Sequence, residues 1–195
     1  GDIISYLQMC TIESGVNLQQ GMNFRLKGGH SIILMSLRED APYADKIIDE
    51  GRAIIYEGHD VRITQTDNPK VVDQELTNPG GSLTSNGKFF QAARKFKMKQ
   101  SSPEPVQVYE KIRKGIWVYN GLFNLVDAYQ ELSEGRNVFK FRLELVEDSF
   151  SEPSHPDLIH NRVIPASVKI EAWKRDKGKC VKCGSEYNLH YDHVL

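Results

Sequence analysis

With 195 residues, a net charge of −1 and 39% hydrophobic against 26% charged residues, the chain has the make-up of a globular protein with room for one ample core and a small appendage. That balance excludes a disordered polyelectrolyte, and no apolar run approaches the roughly 18 residues that a membrane span requires. No basic-then-apolar leader opens the sequence.

The residues before about Asn23 carry no decisive pattern. Ser31 to Leu37 holds the apolar run Ile32, Ile33, Leu34 and Met35, short enough for a buried strand. Ala53 to Tyr56 repeats it, and Gly58 breaks it. Val61 and Ile63 suggest a strand that leaves, past Pro69, into a polar loop running through Gly80 and Gly81. Phe89, Ala93 and Phe96 recur at helical spacing, so Gly87 to Lys97 reads as an amphipathic helix capped by Ser85-Asn86. Val106 to Glu110 and Ile116 to Tyr119 read as strands flanking the basic turn Arg113-Lys114-Gly115. The clearest strand is Val138 to Glu147, where Phe139, Phe141, Leu143 and Leu145 alternate with Lys140, Arg142 and Glu144. Composition then shifts: Asp148 to Arg162 is rich in Ser and Pro and reads as a linker. Beyond it Pro165 suits a first helical position, with Val168, Ala172 and Trp173 on one face. Lys179 to Leu189 reads as a knuckle and a short strand.

Charge is unevenly spread. The stretch from Lys88 to Lys114 is basic, and Lys88, Arg94, Lys95 and Lys97 on the predicted helix are candidates for phosphate contact. Lys169 to Lys182 is a second basic stretch. Glu39 to Glu75 is acidic, so a basic face and a separate acidic patch are expected. Of the three cysteines, Cys10 stands alone in a mildly apolar stretch, where packing explains it, whereas Cys180 and Cys183 have metal-type spacing. This usage fits a reducing cytoplasm better than a disulfide framework.

Six landmarks over about a hundred residues, in order, resemble the SRA (YDG) domain family, which reads modified cytosine in DNA. They are Ser31-Ile32-Ile33-Leu34; Asp49-Glu50-Gly51 with Ile55-Tyr56-Glu57-Gly58; Leu83-Thr84 with Asn86; Val106-Gln107-Val108-Tyr109; Tyr119-Asn120-Gly121-Leu122, with Asn in place of the family's Asp; and Phe139-Lys140-Phe141. The resemblance implies an α+β fold, a twisted β-barrel with flanking helices, over residues 1–148. It also implies a pocket that receives a base rotated out of double-stranded DNA. Such a pocket needs aromatic walls and an acceptor for the cytosine amino group. Tyr56 stands at the family's second stacking tyrosine, and Tyr43 with Asp45 stands for its Tyr-x-Asp. Asp40 and Asp49 are rival acceptors. The loop from Val61 to Ser82 lies where the family has its DNA-probing finger.

A linker over residues 149–163 leads to a segment, 164–195, that resembles the opening of an HNH nuclease, a ββα-metal module. Cys180-x-x-Cys183 is a zinc half-site, to be completed by a second pair downstream or by His190 as a third ligand; a bare reactive pair is the lesser reading. Leu189-His190-Tyr191-Asp192-His193 matches the catalytic motif's start. By resemblance His193 is the general base and Asp192 a ligand for catalytic Mg2+ or Mn2+. The motif's middle Asn and last His have no counterpart before Leu195, so a chain ending there is expected to cleave little or not at all. The combined expectation is a modification-dependent restriction endonuclease of a prokaryotic cytoplasm, homodimeric so as to cut both strands. Its rivals are a reader with a structural zinc knuckle and no catalysis, and an RNA-binding β-barrel.

Overall fold

The protein is described from a computed structural model covering residues 1–13, 15, 17–146 and 163–191. In chain order its elements are β1 (Ile3–Ser5), α1 (Tyr6–Ile12), β2 (Met22–Asn23), β3 (Ser31–Met35), β4 (Lys46–Ile48), β5 (Ala53–Glu57), α2 (Ser85–Lys97), β6 (Glu104–Arg113), β7 (Ile116–Ser133), β8 (Arg136–Leu145) and α3 (Ala166–Asp176). The apolar runs at Ser31, Ala53 and Val138 are strands, as their patterns predict. The ambiguous N-terminus forms β1 and α1, joined by a capping box: Ser5 Oγ accepts from the Gln8 N–H, and Gln8 Oε1 accepts from the Ser5 N–H.

Seven strands run in the order β2-β3-β6-β7-β8-β5-β4, with β1 paired to the start of β7. Among the described residues only β3 and β6 pair in parallel; the other strand pairings are antiparallel. The expected twisted β-barrel takes the form of a mixed sheet. Its terminal strands span two and three residues, too short to ladder across, and among the described residues no pairing joins β2 to β4. The expected strand at Ile116 to Tyr119 extends to Ser133, because β8 continues the ladder after β6 has ended.

The core lies between α2 and the sheet. Phe89, Ala92 and Ala93 face inward, and Phe89 meets Phe24 and Phe141 edge-on at 5.3 and 5.9 Å. A phenylalanine buried in this way contributes about 1.5–3 kcal/mol by leaving water. The cap of α2 is Thr84, one residue earlier than predicted; its Oγ1 accepts from the Gly87 N–H. Val61 and Ile63 form no strand: the chain there is irregular and then a turn, with Ile63 79% exposed.

Two corrections concern charge. Lys140, expected outward on β8, is buried and donates to Glu57 Oε2 at 2.8 Å. Lys169, counted in a basic surface, is also buried on α3, where Val168 is instead exposed. Lys169 Nζ donates to Glu110 Oε2 (2.6 Å) on β6 and to Asn120 Oδ1 (2.7 Å) on β7. Asn120 reaches that position through a β-bulge: Val108 pairs with Gly121 and Tyr109 with Tyr119, leaving Asn120 as the extra residue. Gly121 carries φ +107°, which a side chain would resist. The Tyr-Asn-Gly motif is thus a bulge on which α3 sits.

Pro165 caps α3 rather than opening it. The end of the described chain joins the free edge of β1: the Ile3 N–H donates to Leu189 O and the Tyr191 N–H to Gly1 O. Most of the segment 149–163 read as a linker, and Asp192 and His193, expected from the resemblance to be catalytic, lie outside the described residues; Val163 is buried, with its N–H on Gly51 O at 2.8 Å. No helix among the described residues is long and apolar enough to cross a membrane.

Candidate functional site

A cavity of about 750 Å3 opens between the two ends of the sheet. Its walls are the residues before β2 (Leu18 to Gly21), the end of β3 (Leu34 to Ser36), the residues leading into β4 (Ala41 to Asp45, except Ala44), and Tyr56, His59, Lys111 and Trp117. The sheet supplies a rigid floor, and its unpaired ends leave a mouth. Tyr43, Asp45 and Tyr56, predicted from sequence as one group, all line this cavity.

Asp45 is held at the centre. Its Oδ1 accepts from the Glu57 N–H at 3.0 Å and its Oδ2 from the Ser36 N–H at 3.3 Å, bridging β5 and β3. Removal from water pushes its pKa up to about 7, despite those two hydrogen bonds. Near neutrality the group is therefore shared between an acid, able to donate, and a carboxylate that only accepts.

The rival acids are elsewhere. Asp40 pairs with Arg38, which holds its carboxyl below the ordinary range, and it does not line the cavity. Asp49 sits in a tight turn after β4 and pairs with Arg142 at 2.5 Å. Of the acids between Glu39 and Glu75, Glu57 and Asp60 turn inward and pair with Lys140, Arg136 and Lys70, while Glu39, Asp49, Glu50, Asp67, Asp73 and Glu75 are exposed.

Tyr43 is half-buried, with the Lys70 ammonium 4.0 Å from its ring centroid. Burial raises its hydroxyl's pKa. Tyr56 is 1% exposed, its ring part of the core cluster, and its Oη lies 3.4 Å from His59 Nε2. His59 was not legible as a site residue. Its ring lies 24° from parallel with Tyr43, centroids 6.0 Å apart, and burial lowers its pKa to about 4, against the pull of Asp60. The imidazole is neutral at physiological pH.

A second hollow of about 590 Å3 shares Gln20 and His59 with the first and is lined by Arg62, Gln65, Asn78 and Lys88. Of the four helical cations, Lys88 borders this hollow, Arg94 and Lys95 are exposed further along α2, and Lys97 is tied to Asp127 at 2.8 Å. At the C-terminal end of the described residues, hydrogen bonds from the amides of Cys183 and Lys182 hold the pKa of the Cys180 thiol below its ordinary value. His190 Nδ1 is 2.8 Å from Asp2 Oδ1. Among the described residues no three His, Cys, Asp or Glu side chains group as a metal site.

Comparison with known proteins agrees with this architecture. Structures of the SUVH5 SRA domain share the fold. Its complex with hemimethylated CG DNA is 23% identical with a TM-score of 0.51, covering 77% of this chain and 92% of that one. Its complex with fully methylated CG DNA is 24% identical with a TM-score of 0.52, covering 78% and 92%. The same domain bound to fully hydroxymethylated CG DNA is 23% identical with a TM-score of 0.52, covering 77% and 90%. No curated protein sequence matches the chain. The SAD/SRA domain model matches residues 3–149, three quarters of the length, and the chain belongs to the SAD/SRA domain family.

Proposed function

We propose that the cavity receives a modified cytosine rotated out of double-stranded DNA. The observation that carries this reading is Asp45, fixed between β3 and β5 in a hollow that also holds Tyr43. As carboxylate it accepts from the exocyclic amino group of cytosine. As acid it also donates to the ring nitrogen beside that group, so both protonation states suit the Watson–Crick edge. Leu34, Met35, Ala41 and Pro42 supply apolar wall for a substituent at carbon 5. A buried methyl contributes only about 0.8 kcal/mol, so enclosing the whole base is what offsets the few kcal/mol of unstacking. The SUVH5 complexes with methylated and hydroxymethylated DNA support the same reading. Fluorescence anisotropy with duplexes differing only in one 5-methylcytosine tests it: preference for the modified duplex, lost in Asp45→Ala, is expected, and equal affinity for both duplexes contradicts it.

In a protein carrying the remaining motif residues, the C-terminal segment is read as an HNH nuclease that cuts DNA near the bound base, acting as a homodimer in the cytoplasm. Cys180 and Cys183 would hold Zn2+ with two further ligands, while Asp192 and His193 would serve Mg2+- or Mn2+-dependent hydrolysis. The perturbed Cys180 thiol supports the zinc half of this reading. A plasmid-nicking assay with either cation, on a chain extended past Leu195, tests it. Modification-dependent binding without nicking would favour a reader that lacks catalysis.

A further inference from the structure

We infer that His59, rather than Tyr56, is the second wall against which a base beside Tyr43 is stacked. The inference rests on the base-binding reading of the cavity and names a residue that reading does not require. A stacking wall needs an open face. Tyr56 has none to offer: it is 1% exposed, and its ring belongs to the core cluster. Its hydroxyl lies 3.4 Å from His59 Nε2, so Tyr56 meets the imidazole through its polar tip.

His59 has the geometry that Tyr56 lacks. Its ring is 24° from parallel with Tyr43 at a centroid distance of 6.0 Å. A flat base between two rings needs their planes about twice the contact distance of roughly 3.5 Å apart, so the two rings part to admit it. The backbone beneath the ring is clamped from both sides by Asn86 of α2. The His59 N–H donates to Asn86 Oδ1 at 2.8 Å, and Asn86 Nδ2 donates to His59 O at 2.8 Å. Asn86 is itself buried, so the wall stands on a fixed base.

Space for this arrangement depends on residue 21. A Cβ on Gly21 would lie 2.7 Å from Tyr56 Oη and 2.8 Å from His59 Nε2, closer than atoms approach, so a glycine there leaves both rings in place. His59, with Gln20, lines both hollows. Burial keeps the imidazole uncharged above about pH 4, and a neutral ring stacks without an ionic hydration shell to strip.

Anisotropy with matched duplexes, plain or carrying one 5-methylcytosine, tests the assignment on the whole chain. Base–aromatic stacking of about 1–3 kcal/mol corresponds to a loss of roughly 5- to 150-fold. His59→Ala is expected to lose that much on the modified duplex and less than twofold on the plain one. His59→Phe, which keeps a flat face, is expected to restore most of the loss. Circular dichroism confirms that each variant is folded; should His59→Ala unfold, His59→Leu carries the same expectation beside His59→Phe. Wild-type affinity in the aliphatic variant, an equal loss on both duplexes, or failure of Phe to rescue would overturn the inference. Tyr43→Ala separates the two levels. If it abolishes modified-DNA preference while the aliphatic His59 variant does not, the cavity reading stands and His59 is excluded. If wild type shows no preference, the cavity reading itself fails, and the inference with it.

Discussion

Replacing Lys169 with methionine keeps the length of the side chain on α3 and removes its charge. In the folded protein Lys169 Nζ reaches Glu110 Oε2 at 2.6 Å and Asn120 Oδ1 at 2.7 Å, and both Lys169 and Glu110 are 1% exposed. After substitution Glu110 keeps one bond, from Asn120 Nδ2 at 3.0 Å, while its Oε1 already lacks a partner among the described residues. An anion left in this position costs about 3–5 kcal/mol. With a urea slope of about 2 kcal/mol/M, the midpoint of unfolding is expected to fall by roughly 2 M. The double variant Lys169→Met, Glu110→Gln removes the orphaned charge and is expected to recover at least half of the loss. Hydrogen exchange locates the effect: residues 166–191 should lose protection before α2 does, because Tyr191 Oη donates to Lys169 O and ties the chain end to the same helix. A loss below about 1 kcal/mol, or a double variant as unstable as the single, would refute the view that this pair docks α3 on the sheet.

Asp45 and His59 impose opposite pH dependences. Asp45 is raised from 3.8 to about 7, so its contribution to stability is full below pH 3.8 and is lost as pH rises through about 7; at about 1.4 kcal/mol per unit it amounts to no more than about 4 kcal/mol. His59 is lowered from 6.5 to about 4, so stability is lost as pH falls from 6.5 through about 4. Urea midpoints of Asp45→Asn should therefore rise between pH 4 and 6.5, where wild type is nearly flat, and those of His59→Gln should fall between pH 4 and 7; a flat Asp45→Asn profile contradicts the assignment. Lys88→Glu should weaken modified and plain duplexes alike and reduce the salt slope by about 0.9, whereas Lys97→Ala, already paired with Asp127, should change it little. Thr84→Ala should cost about 1 kcal/mol in thermal unfolding through loss of the α2 cap, and an unchanged midpoint would show that the cap is dispensable.

The strands at Ser31, Ala53 and Val138, and the helix before Lys97, were legible because their apolar residues recur at the spacing of the element and are buried there. The grouping of Tyr43, Asp45 and Tyr56 was legible through the family resemblance and not through local pattern. What could not be read depends on partners remote in sequence. Lys140 and Lys169 look like surface charges until Glu57 and Glu110 are placed beside them. The length of β7 rests on its ladder with β8, since Asn124, Asp127 and Gln130 give it no apolar alternation to read. His59 follows a glycine in a segment without periodicity, and only its stacking with Tyr43 sets it apart. Conversely, Val61 and Ile63 alternate as a strand would, yet among the described residues they pair with no strand.

The account stands most directly on where one base lies when the protein is bound. A crystal structure with a duplex carrying a single 5-methylcytosine is predicted to show that pyrimidine outside the helix, beside Tyr43, with its amino group within about 3.2 Å of the Asp45 carboxyl. The same cytosine paired and stacked inside the duplex, with the cavity unfilled, would contradict it.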